Sequence, residues 1–297
     1  MVHYSLIIKF VIKYHQMLLR LTVIITACLC LGLLSPLQAQ DPATDDHAYL
    51  TLVDSAQTAT ATGRYDDAAT LLHRALSARP ASPTNVLLLS NLGMVQHYAG
   101  RDSLAYTTLS SALAQAPGSA TILMNRGKVL TALGRFDSAI ADFSAALRRD
   151  TSRMEPRFYR AMLLIHTGEV LSADADADTL MWRSPRSRMA LEAKSACLRA
   201  MSRFDEAIPL LNDLINHYPD AAAYGARAAC RVMTDDLNGA AADIAEALTR
   251  DPSNPDFLLT RALLNKKRYR REDSLKDAEE AIRNGANPER VKAVLAL

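Results

Sequence analysis

The chain has 297 residues, with 34 Lys+Arg against 32 Asp+Glu, 49% hydrophobic residues and 22% charged ones. Such a length holds one or two ordinary domains, and the apolar share is ample for a packed core, which excludes a disordered chain. Setting aside Lys9, Lys13 and Arg20 near the N-terminus leaves 31 basic against 32 acidic residues, a balance that excludes nucleic acid as a partner because that partner calls for a clustered basic surface.

Residues 1–40 read as a leader. Leu21 to Leu34 is an uncharged run of 14 residues, shorter than the roughly 20 needed to span a bilayer. Arg20 precedes it, and Pro36 and Ala39 follow it. A basic flank, a short apolar centre and a small residue after a helix breaker describe a secretory signal peptide cleaved after Ala39 or Gln40. Met17 as the start gives a more usual leader length. Two alternatives stay open: Ile25-Thr26-Ala27-Cys28 has the form of a lipobox, which would acylate Cys28, and an uncleaved leader would serve as an anchor. Each predicts an exported bacterial protein, periplasmic, envelope-associated or secreted, that meets a membrane only if it is lipid-anchored or keeps its leader. Residues 41–48 read as a short linker.

From residue 49 a single unit recurs seven times. The spacing Ala-x6-Ala-x4-Pro appears as Ala68, Ala75, Pro80, as Ala105, Ala112, Pro117 and as Ala240, Ala247, Pro252. Weaker copies begin at Ala139, Ala173, Ala207 and Ser274, so that successive first members stand 37, 34, 34, 34, 33 and 34 residues apart. Five residues before each lies a turn column (Gly63, Gly100, Gly134, Gly168, Ser202, Asp235, Tyr269), and seven earlier a column of small residues (Ala56, Gly93, Gly127, Ala161, Ser195, Ala228, Ala262). Apolar residues at helical spacing on both sides of the turn make each unit a helix–turn–helix. Small side chains let two antiparallel helices cross closely, Gly accepts positive φ at the turn, and Pro stops the second helix. Asp66, Asp137 and Asp205 stand where a carboxylate can cap that helix.

This pattern resembles the tetratricopeptide repeat over about residues 49–288. The copies that carry the resemblance are Leu92-Gly93 through Gly100, Ala105, Leu109, Ala112 and Pro117, and Gly127 through Gly134, Phe136, Ala139, Phe143 and Ala146. The predicted units are 49–82, 86–119, 120–153, 154–187 (degenerate), 188–220, 221–254 and 255–288, with a capping helix over 289–297. The resemblance implies an all-α, right-handed superhelical solenoid whose first helices line a concave groove. It also implies a non-catalytic scaffold or adaptor that binds a protein or peptide without a cofactor. An alternative is a lipid-anchored subunit of an envelope assembly; an enzyme with a site built across repeats is a third.

If the family geometry holds, Met94, His97, Met124, Asn125, Lys128, Phe158, Met162, His166 and Arg199 face the groove, and only those that are exposed can form a binding surface. Asn91, Asn125 and Lys128 give a fragment of the polar clamp with which some family members hold a C-terminal carboxylate. The fourth unit departs from the pattern with Asp174, Asp176 and Asp178 in alternation. Asp-x-Asp-x-Asp opens a calcium loop, but Thr179 stands where Gly is required and Pro185 where the closing Glu belongs, so a frayed or solvated outer helix is expected instead. Trp182 is expected to pack. Cys197 and Cys230 occupy one apolar column of neighbouring units, about 8–10 Å apart at helix-packing distance, so free thiols are expected.

Overall fold

The computed structural model describes residues 43–80 and 82–296. The stretch read as a leader, with Cys28 and the expected cleavage site, lies outside the described residues. Those residues form fifteen α-helices and no strand: α1 (Ala43–Ala61), α2 (Tyr65–Ala78), α3 (Asn85–Tyr98), α4 (Asp102–Gln115), α5 (Ala120–Ala132), α6 (Phe136–Arg149), α7 (Met154–Thr167), α8 (Val170–Arg183), α9 (Arg188–Ala200), α10 (Phe204–His217), α11 (Ala221–Met233), α12 (Leu237–Arg250), α13 (Pro255–Lys267), α14 (Arg271–Arg283) and α15 (Pro288–Ala296). The architecture is an all-α repeat solenoid. Helix α1 begins inside the stretch read as a linker over 41–48. It starts at Ala43, so most of that stretch continues the first helix. The chain divides into two compact units that meet between Pro156 and Arg157, inside α7.

Within each pair the helices approach at the small column. A Cβ built on Gly93 would lie 2.5 Å from Leu109 Cγ, and one on Gly127 would lie 2.7 Å from Phe143 Cε1. Both bulky partners are wholly buried. Glycine is thus demanded by a neighbour's volume and not by backbone conformation. The turn column is the opposite case. Gly63, Gly100, Gly134 and Gly168 have φ between 71° and 89°, no atom lies near their missing side chains, and the left-handed conformation itself selects glycine.

A second staple joins the helices of a pair. Arg126 is bidentate to Asp142 (2.7 and 2.8 Å), Arg160 to Asp176 (2.7 and 2.7 Å), and Arg227 to Asp243 (2.9 and 2.6 Å). Arg261 repeats the contact on one oxygen of Asp277 (2.9 and 2.6 Å). Each carboxylate is buried. In the fifth unit the carboxylate position is Leu210, and the basic position is Lys194, which turns back instead to Asp174 (2.7 Å) and Asp178 (2.6 Å) of α8.

That contact corrects the reading of the acidic stretch. α8 is an unbroken helix, neither frayed nor a calcium loop. Asp174 and Asp178, four apart, share the face that meets Lys194, while Asp176 turns inward and is 3% exposed, held by Arg157 and Arg160. Among the described residues no group of three or more His, Cys, Asp or Glu is placed to hold a metal. Trp182, expected to pack, is 81% exposed beside Arg183.

The caps also differ from expectation. Arg64, Arg135 and Arg203 occupy the N-cap positions ahead of Asp66, Asp137 and Asp205, and no side chain caps there. Those carboxylates suit the first turn through the helix dipole, and Asp66 also pairs with Arg101. Side-chain capping belongs to Ser119, Ser187, Asp220 and Asn254 before α5, α9, α11 and α13, and to Asp236 before α12. Cys197 and Cys230 are free and buried, and burial pushes the Cys197 thiol up to about 12. At the end of the chain α15 packs on α13 and α14 through Val291.

Two outcomes follow for stability, both read by denaturant unfolding. Gly127→Val forces α5 and α6 apart and costs about 2 kcal/mol, whereas Gly118→Ala, whose Cβ would meet only the end of the Arg149 side chain at 4.0 Å, stays within about 0.5 kcal/mol. Asp176→Ala leaves Arg157 and Arg160 without their carboxylate and costs about 3 kcal/mol, whereas Asp178→Ala, on an exposed carboxylate, costs well under about 1 kcal/mol.

Candidate functional site

In repeats of this kind the first helices of successive pairs stand side by side, so the face they form is where side chains from different repeats converge. In the N-terminal unit that face is carried by α1, α3 and α5. Met94 and Met124 are 9% and 7% exposed and pack between helices. Lys128 is buried too, with its ammonium 3.4 Å from Glu155 Oε1. Burial holds it below the usual lysine range, and the Glu155 carboxylate offsets part of that shift.

Asn125 donates to Ser90 Oγ (3.2 Å), tying α5 to α3. His97 Nδ1 lies 2.5 Å from Asp102 Oδ1, across the turn from α3 to α4. The fragment of a carboxylate clamp is therefore not an open cationic site: Asn125 and Lys128 are committed inside the unit, and only Asn91 is exposed. A charge reversal at Lys128 would place two carboxylates together in the packing, so it tests folding and not binding. Tyr98, at the end of α3, has a buried hydroxyl with no hydrogen-bond partner among the described residues, and burial raises its pKa well above the ordinary phenol range.

In the C-terminal unit Phe158 and Met162 are 5% and 6% exposed, again packing residues, and Phe158 meets Tyr159 edge to face. The apolar half of the predicted groove set is therefore core. The same helical spacing that aims a residue at the first-helix face also aims it at the neighbouring helix, and methionine and phenylalanine fill that seam. His166, at the end of α7, is half-buried, and burial lowers its pKa.

The polar residues of this face form ion pairs within a first helix and between successive helices of the face. Arg188 joins Glu192 (2.5 Å) and Asp220, and Arg290 joins Asp256. Burial raises the pKa of Glu192 and of Asp256; Arg290 and Arg199 oppose that shift at Asp256. Arg199 itself, half-buried near the end of α9, makes no hydrogen bond or ion pair among the described residues. Of the nine predicted residues it alone combines partial exposure, a full charge and no partner. Glu155, Arg188, Asp220, Asp256 and Arg290 are functional candidates absent from that set. Their signal in the sequence is charge recurring at the starts of first helices.

The tetratricopeptide repeat family model matches residues 53–120, 93–154, 124–173 and 198–255. No curated protein matches the chain. Among solved structures, a tetratricopeptide repeat protein from Parabacteroides merdae is 27% identical, with a TM-score of 0.68 over 84% of this chain and 98% of its own. The Cut9–Hcn1 hetero-tetramer of the APC/C matches with a TM-score of 0.63 at 15% identity, over 82% of this chain and 54% of that one. A thermophilic TPR protein from Thermus thermophilus matches with a TM-score of 0.52 at 22% identity, over 60% and 97%. The recurring small and turn columns, the paired helices and these matches converge: the chain belongs to the tetratricopeptide repeat family, whose fold serves as a protein-interaction scaffold.

Proposed function

We propose that this protein is an exported, non-catalytic scaffold that holds a protein or peptide partner on the first-helix face of its C-terminal unit, with Arg199 as the anchoring charge. The observation that carries this reading is that Arg199 makes no hydrogen bond or ion pair among the described residues, on a face of the C-terminal unit whose other charges are paired; the carboxylate whose field it shares, Asp256, is already joined to Arg290. A half-buried guanidinium has lost part of its hydration, so a carboxylate or carbonyl from a partner replaces water at little desolvation cost and offers up to two parallel hydrogen bonds. Paired groups such as Arg188 and Glu192 would first have to be separated. The export part rests on Arg20, the run Leu21–Leu34 and Ala39, and it points to the periplasm or envelope. The lipobox-like Ile25-Thr26-Ala27-Cys28 supports a second reading, an acylated subunit of an envelope assembly. Fatty-acid labelling of the wild type that is lost in Cys28→Ser establishes that reading.

A photo-crosslinking amino acid in place of Arg199, with Leu171 on the exposed side of α8 as control, tests the site in cells. A discrete adduct from position 199 and none from 171 is expected. Arg199→Gln should lower recovery of the same partner about tenfold at unchanged Tm. Adducts from position 171 alone would move the interface to the second helices and sink the assignment.

A further inference from the structure

The turn column of the repeats ends on an anomaly. Four of its members are glycines, and three others adopt the same left-handed backbone at φ 60°: Ser202, Asp235 and Tyr269. Short polar residues tolerate that region, but a tyrosine there is strained. Tyr269 is also 96% exposed, so no packing offsets the strain. Gly63-Arg64-Tyr65, Gly134-Arg135-Phe136 and Ser202-Arg203-Phe204 set an aromatic at the helix start, where it is half-buried. The last unit reads Tyr269-Arg270-Arg271, with the aromatic moved out to the turn and a cation in its usual place. A polar outer surface on a terminal repeat accounts for Arg271. It does not account for Tyr269.

The turn and the helix ends beside it concentrate positive charge, with Lys266, Lys267, Arg268, Arg270 and Arg271 falling within six consecutive residues, of which the exposed Glu272 and Asp273 that follow offset two. Three are occupied: Lys266 with the Leu295 carbonyl, Lys267 with Asp235 (2.6 Å), and Arg268 with the Leu237 carbonyl (2.6 Å) and Asn238 (2.9 Å). Arg270 and Arg271 are exposed and make no hydrogen bond or ion pair among the described residues. Elsewhere in the column of Arg270 the cation is engaged, Arg64 with Asp67, Arg101 with Asp66, Arg135 over the Tyr106 ring and Arg203 with Glu206.

We infer that this turn is a docking tip for an anionic membrane surface. Tyr269 enters the headgroup layer, and Arg270 and Arg271 meet lipid phosphates. A turn this exposed has no walls to enclose a peptide and no strand edge to pair with its backbone, whereas a planar anionic surface needs neither. Tyrosine, with an apolar ring and a polar tip, suits the membrane interface, and clustered cations are drawn to an anionic leaflet over about a Debye length. Setting these five cations aside leaves 29 basic against 32 acidic residues, so an anionic surface attracts this turn and not the rest of the chain, and the cluster sets the orientation in which the C-terminal unit meets such a surface. The inference is independent of the partner proposed at Arg199.

Cosedimentation of the full chain with vesicles tests it. Binding to pure phosphatidylcholine measures the contribution of the apolar run Leu21–Leu34, and the charge of Lys9, Lys13 and Arg20 is shared by all variants, so it cancels in the difference between wild type and variant. Equimolar phosphatidylcholine and phosphatidylglycerol adds the charge-dependent part. At low salt the mixed vesicles should bind about tenfold more protein than the neutral ones, and high salt should remove the excess. Tyr269→Gly and the double variant Arg270→Ser/Arg271→Ser should each lose most of that excess. Tyr269→Gly relieves the backbone strain, so its Tm should be unchanged or higher, and its loss of binding cannot be unfolding. An excess that is absent in the wild type, or kept by both variants, overturns the inference. Retention of the wild type on immobilised poly-glutamate without a vesicle excess assigns the turn to an acidic protein segment and overturns it equally.

Discussion

Everything in this molecule depends on how closely two helices of a pair can approach. The seam between α5 and α6 closes because Gly127 has no side chain where Phe143 lies, and the seam between α3 and α4 closes because Gly93 makes room for Leu109. A short helix cannot hold itself together in water, and one pair cannot bury both of its apolar faces. The close seam turns two marginal helices into one slab with an apolar surface on each side. Stacking those slabs then buries the surfaces in turn. The small residue therefore sets the interaxial distance, that distance sets the stacking, and the stacking decides which side chains are left on the first-helix face.

The buried Arg–Asp staple works at the same seam by different physics. Burying a charge is costly unless a partner answers it, so Asp142, Asp176, Asp243 and Asp277 each need their arginine. Such pairs contribute little net stability compared with apolar packing, but they penalise misregister: a one-residue slip of a second helix would bury a carboxylate against carbon. Neighbouring units of similar sequence could otherwise dock in the wrong order. Where the fifth unit replaces the carboxylate by Leu210, Lys194 is answered by the preceding unit's Asp174 and Asp178, so the staple there runs between units instead of within one.

Much of the fold was legible because it is periodic. The columns at Ala68, Gly63 and Ala56 name the helix pairs, the turns and the close seam, each for a reason visible in one residue type. What the sequence hid was direction on a helix surface. Met94, Met124, Phe158 and Met162 stand at positions that the repeat aims at the first-helix face, but a residue there also borders the next helix, and long apolar side chains follow the seam. Asp174, Asp176 and Asp178 look like an alternation suited to neither face of a helix. In the folded chain they divide into a pair four apart and a single inward residue, each with its own cation. The basic turn around Tyr269 was obscured by averaging, since a near-neutral total conceals five cations within six consecutive residues.

The same logic decides where a partner can gain anything. A charge already answered inside the protein, such as Lys128 by Glu155 or Asp256 by Arg290, must be separated from its partner before it can serve another, and the separation costs more when the pair is buried. An unanswered charge carries no such debt. On the first-helix face of the C-terminal unit the other charges are paired among the described residues, so one that is not stands out. Arg199 lies on the first-helix face, and Arg270 and Arg271 lie at an exposed turn beside a strained tyrosine. Stability gives no account of these groups, because Arg199 gains no ion pair and Tyr269 sits strained in open solvent. The contacts proposed for them would account for both, since each becomes favourable only when something from outside the chain arrives.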